Sequence, residues 1–127
     1  MSHMDEVAIL RRRTKAFLNR ALDSLEAKDY DVASFLSEQA VQLYLKSLLL
    51  EELGDYPRTH SISTLLTILG KVEKYKNVAK ILEIKKREIR LMEDAYISSR
   101  YLVREFDEEE AQTLIKLAKE IIYGEIR

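Results

Sequence analysis

Apolar positions recur every three or four residues along most of the chain, the spacing of helices that each bury one face. From Asp5 to about Ala27 the stripe runs Val7, Leu10, Thr14, Phe17, Leu18, Ala21, Leu22 and Leu25. After a short turn at 28–30, a second helix is expected from near Asp31 to Gly54, with Asp31 or Asp29 as its cap. It carries Val32, Phe35, Leu36, Ala40, Leu43, Tyr44, Ser47 and Leu48, and Val41, Leu45 and Leu49 widen the apolar surface round the cylinder. A stripe that wide belongs to a helix packed on several neighbours. Gly54 ends it, since glycine accepts the left-handed conformation past a last helical turn.

Asp55 to His60 reads as a loop directed by Pro57, and Ser61 or His60 can cap a third helix that buries Leu65, Leu66, Ile68 and Leu69 and closes near Gly70. A basic connector leads to a fourth helix over about Asn77–Ile97, burying Val78, Ile81, Leu82, Ile84, Ile89, Met92 and Tyr96. Ser98 to Phe106 is a break. Asp107 and Glu110 then form a capping box that starts the last helix, which runs to about Tyr123 and stops at Gly124. The pattern predicts an all-α fold: a single up-and-down bundle of four to five helices over residues 5–127. Met1-Ser2-His3-Met4 reads as the remnant of an expression tag and is set apart, which leaves His60 as the one native histidine.

Composition sharpens this picture. Three glycines and one proline in 127 residues leave little material for hairpins, as a few long helices require. The absence of cysteine excludes disulfides, thiolate catalysis and cysteine-ligated metals, and suits a reducing cytoplasm, where the chain is expected. The longest apolar run, Leu48-Leu49-Leu50, is far short of the roughly 20 residues of a membrane span, so no membrane association is expected. One native histidine argues against a multi-histidine metal site, and neither a glycine-rich phosphate loop nor a nucleophile elbow occurs; no cofactor is expected.

The net charge of −1 gives no whole-chain attraction to nucleic acid, but its distribution is uneven. Eight basic residues face three acidic ones between Lys71 and Arg90, whereas seven acids face three bases from Glu105 to Arg127. Such asymmetry could steer a polyanion or pair two subunits; solvated helix faces are the plainer reading. The run Arg11-Arg12-Arg13 divides the same way, between a phosphate grip and the wet face of an amphipathic helix.

Candidate chemistry gathers in three places. Glu38, Gln42 and Lys46 lie four apart on the second helix, one line of polar side chains on an otherwise apolar cylinder. It is either an exposed stripe or, because a helix packed on many sides has few exposed faces, the lining of a groove or subunit seam. His60 precedes a helix start, where it could cap the helix or offer a group titrating near neutrality beside a helix N-terminus. Arg100 and Tyr101, in the break before the last helix, suit phosphate clamping and base stacking, or the pinning of a loop.

These segments together resemble the HEPN family (higher eukaryotes and prokaryotes nucleotide-binding domain). The resemblance rests on Tyr30–Phe35 (YDVASF), Ser37–Leu50 (SEQAVQLYLKSLLL), Gly54 with Pro57-Arg58-Thr59-His60-Ser61-Ile62, and Asp94–Tyr101 (DAYISSRY), and it spans nearly the whole chain. It implies a four-to-five-helix bundle that usually dimerises, and in bacteria and archaea is often partnered with a small nucleotidyltransferase in toxin–antitoxin or related pairs. Some members bind nucleotides, and a large branch are metal-independent ribonucleases marked by an arginine followed within one to two helical turns by a histidine. Arg100 is followed by Tyr101-Leu102-Val103-Arg104-Glu105-Phe106, with no histidine, so that signature is absent. The resulting expectation is a binding module for a nucleotide or other anion, homodimeric, with Glu38, Gln42, Lys46, His60, Arg100 and Tyr101 as the ligand-binding set. The alternatives are a ribonuclease that brings Arg100 and His60 together in space, and a purely structural dimerisation module whose seam pairs Lys46 with Glu38 of a partner.

Overall fold

A computed structural model of the chain describes residues 2–99 and 104–124. The helices are α1 (His3–Glu26), α2 (Tyr30–Leu53), α3 (Ile62–Leu69), α4 (Val78–Ile84), α5 (Lys86–Ser98) and α6 (Glu108–Tyr123), with one 3-10 turn at Glu73–Tyr75. The all-α reading holds, with no strand among the described residues.

α1 starts two residues before the expected Asp5, because Ser2 and Asp5 form a capping box: the Asp5 N–H donates to Ser2 Oγ and the Ser2 N–H to Asp5 Oδ2, both at 3.2 Å. Its far end is a Schellman turn. The Asp29 N–H reaches the Ser24 carbonyl at 2.9 Å and the Lys28 N–H reaches Leu25 at 3.0 Å, with Lys28 at φ 65° where glycine is usual. This turn folds α2 back on α1. Neither aspartate caps α2 through its side chain; Asp31 instead accepts the Phe106 N–H at 2.6 Å, tying the strand of chain before α6 to the start of α2.

α2 is the centre of the molecule and packs on α1, α3, α5 and α6. Ala40, Val41, Leu45, Leu48 and Leu49 are buried on it, and the wide stripe read from the sequence is the reason. Gly54 closes the helix at φ 79°, its N–H on the Leu50 carbonyl at 2.9 Å. Ser61, not His60, caps α3, its Oγ accepting the Thr64 N–H at 3.1 Å. Asp107 and Glu110 make both arms of the expected capping box of α6, at 2.8 and 3.1 Å.

The expected fourth helix is two helices. A continuous helix would carry position 85 on the same stripe as Val78, Leu82, Ile89 and Met92, and that position is a lysine, which resists burial. The backbone breaks there, at φ −102° and ψ 23°, and Lys85 Nζ meets Glu120 of α6 at 3.5 Å. Ile84, read as a core position, is consequently left exposed.

Candidate functional site

The polar line on α2 does lead to an open site. Gln42, Lys46, Tyr56, Arg58, His60 and Tyr96 line a cleft of about 770 Å³, completed by His3, Glu6, Leu50, Gly54, Asp55 and Thr59. α2 supplies the wall, the 54–61 loop the rim, and α5 contributes Tyr96. The loop lies where it does because Gly54 turns the chain sharply off α2 and the start of α3 is anchored from α5. Glu93 Oε2 accepts from Ser61 Oγ at 2.9 Å and from the Ser63 N–H at 3.3 Å, and Oε1 accepts from Ser63 Oγ at 3.0 Å.

Glu38, Gln42 and Lys46 form one hydrogen-bonded chain directed into this cleft. Lys46 Nζ donates to Gln42 Oε1 at 3.1 Å, and Gln42 Nε2 donates to Glu38 Oε2 at 2.6 Å. Gln39 Nε2 donates to the other carboxyl oxygen of Glu38 at 2.7 Å. The stripe is graded in depth: Glu38 has no exposed surface, Gln42 is 6% exposed, and Lys46 is half-buried. Burial pushes the Glu38 pKa up to about 7, against the opposing pull of its two amide donors and Lys46; Glu93 adds to the rise. Lys46 is lowered by burial, partly offset by Glu38.

Aromatic rings share the cleft with the cation. Lys46 Nζ lies 5.7 Å from the Tyr56 ring centroid, and the His60 imidazole stacks on Tyr96 at 4.3 Å with planes 14° apart. His60 thus serves the cleft and not the cap of α3. Arg58 stands exposed at the rim, and Glu6 and Asp55 place two carboxylates at the mouth. Of the six residues expected to bind ligand, Gln42, Lys46 and His60 share the cleft and Glu38 lies directly behind it. Arg100 and Tyr101 lie outside the described residues, and with them the His60–Arg100 geometry that a ribonuclease would need.

Besides the carboxylates of Glu6 and Asp55, three participants escaped sequence reasoning. Tyr96 counted as a core position by its spacing, Tyr56 as an ordinary loop residue, and Glu93 not at all. The available signal for Glu93 was the pair of serines at the start of α3, whose hydroxyls need acceptors. Among the described residues no group of three or more His, Cys, Asp or Glu is placed to hold a metal ion, and no helix is long and apolar enough to cross a membrane.

An all-α bundle with a mixed-charge, aromatic-lined cleft against its central helix is the class of protein this geometry defines. The family model of the HEPN domain matches residues 7–123, and the chain belongs to that family. Its fold is similar to the crystal structure of ST0689, an archaeal HEPN homologue, with a TM-score of 0.68 and 26% identity over 95% of this chain and 98% of that one. No curated protein matches the chain.

Proposed function

We propose that the protein is a HEPN-type binding module that holds a nucleotide or a related anionic ligand in the cleft between α2 and the 54–61 loop. The observation that carries this reading is the placement of Lys46, held by Gln42 in a cleft whose other surfaces include Tyr56 and the stacked His60–Tyr96 pair. A fixed ammonium suits a phosphate, and aromatic rings lining the cleft suit a base. Arg58 at the rim adds a second cation, while Glu6 and Asp55 disfavour a ligand of uniformly high negative charge.

The module is proposed to act as a homodimer, paired with a small nucleotidyltransferase in a toxin–antitoxin-like system; family membership supports both statements. A seam pairing Lys46 with a partner's Glu38 is disfavoured, because both oxygens of Glu38 are engaged inside its own chain. The test is calorimetric titration of nucleoside monophosphates into the wild type and Lys46→Ala. Measurable binding that weakens at least about tenfold, or 1.4 kcal/mol, in the variant supports the reading. Equal affinity, or none in either protein, contradicts it. An RNA-degradation assay with His60→Ala as control separates binding from cleavage.

A further inference from the structure

Glu38 is a carboxyl group with no solvent contact and no direct cationic partner among the described residues. Its two oxygens each accept one bond from a neutral amide, Gln39 on one side and Gln42 on the other. The charged groups acting on it are Lys46 of its own helix, which favours ionisation, and Glu93 of α5, which opposes it. Among the described residues α1, α3 and α6 contribute none. Gln42 links this carboxyl to the cleft: its amide nitrogen faces inward to Glu38 and its oxygen outward to Lys46.

That orientation fits the ionised carboxyl, which can only accept. It fits a bound anion poorly, because the ligand would meet an outward carbonyl oxygen beside the ammonium, with a carboxylate one hydrogen bond behind. A protonated Glu38 has an O–H to give. With Gln39 holding one carboxyl oxygen, the amide oxygen of Gln42 can accept that O–H once a half-turn of the amide brings it inward. The same half-turn points Gln42 Nε2 toward the cleft, so that an N–H donor and the Lys46 ammonium converge on one point.

We propose that anion binding in the cleft is coupled to uptake of one proton by Glu38 and reversal of the Gln42 amide. Glu38 and Gln42 are then positioning residues that make the site selective for the ligated, protonated state. This rests on reading the cleft as an anion site. The proton comes from solvent and no covalent bond in the ligand changes. Burial raises the pKa of this carboxyl to about 7, so the exchange takes place at ordinary pH.

Sulfate is a suitable probe because its charge is constant across the neutral range. It would be titrated calorimetrically into the full chain in buffers of different ionisation heat, from about pH 7 to about pH 8.5, the alkaline end lying above the ordinary range of histidine. The expected result is uptake approaching one proton per sulfate at the alkaline end, with affinity falling up to about tenfold per pH unit. Glu38→Gln, a neutral isostere, should bind sulfate with little proton uptake and a nearly flat pH profile, whereas a pH dependence arising from Lys46 or His60 would persist in that variant. Carbon NMR of the Glu38 carboxyl in the wild type provides a second reading that does not depend on the variant folding: saturating sulfate should move it from the carboxylate to the carboxylic-acid position. Sulfate binding with that signal unmoved overturns the coupling and leaves the anion site intact. Failure of sulfate to bind overturns both.

Discussion

Glu38 shows how a single side chain can tie stability to the state of a site. Its folded pKa of about 7 exceeds the ordinary 4.5, so between those values the folded chain binds a proton that the unfolded chain releases. Stability from this group is therefore full below about 4.5 and is lost as pH rises through about 7, by ~3 kcal/mol in all. Urea denaturation at a series of pH values should show the decline, and Glu38→Gln should remove most of it. An unchanged slope in that variant would assign the effect elsewhere. The alignment of Glu38, Gln42 and Lys46 was legible in the sequence, because four-residue spacing on a helix admits one geometry. Their gradation in depth was not, since it depends on how the neighbouring helices close over one end of the line. Tyr96 misled for a related reason: helical spacing reports which face a residue occupies, not whether that face meets a core or a cleft.

Turns and caps decide where each element starts and stops, and two of them invite substitution. Lys28 sits at φ 65°, a conformation that costs a residue with a Cβ about 1 kcal/mol, so Lys28→Gly should raise stability by roughly 0.5–1 kcal/mol. Asp31 holds the Phe106 amide at 2.6 Å across the start of α2. Asp31→Ala should cost about 1–3 kcal/mol, read by thermal unfolding, and should raise amide exchange at Phe106 more than at Leu48. The Asp107–Glu110 capping box and the glycine at the end of α2 were readable because each is a local motif with a fixed chemistry. The break at Lys85 was not. The one sign of it in the sequence is a lysine on the apolar stripe at 85, and its pairing with Glu120 of α6 appears only in three dimensions.

Across the whole molecule, α2 organises both the core and the site. Leu49 lies fully buried on the helix that touches α1, α3, α5 and α6, so Leu49→Ala should cost about 2–5 kcal/mol in denaturant unfolding. The charge asymmetry along the chain also changes meaning in three dimensions. Lys74 pairs with Glu52, Lys76 with Glu73 and Lys85 with Glu120, so part of the basic segment is neutralised within the chain and one pair joins it directly to the acidic α6. The sequence located both segments without indicating that they are neighbours. Its family resemblance, by contrast, extended to the whole bundle, because the order of the helices and the glycine-to-serine loop between α2 and α3 are properties of the linear chain.

The proposed function stands on Lys46, and one titration reaches it most directly. Heat of binding for a nucleoside monophosphate should be measurable with the wild type and reduced by at least about tenfold in affinity with Lys46→Ala, while the far-ultraviolet circular dichroism of the two proteins stays the same. Identical affinities in two equally folded proteins, or no binding by the wild type, would contradict the account.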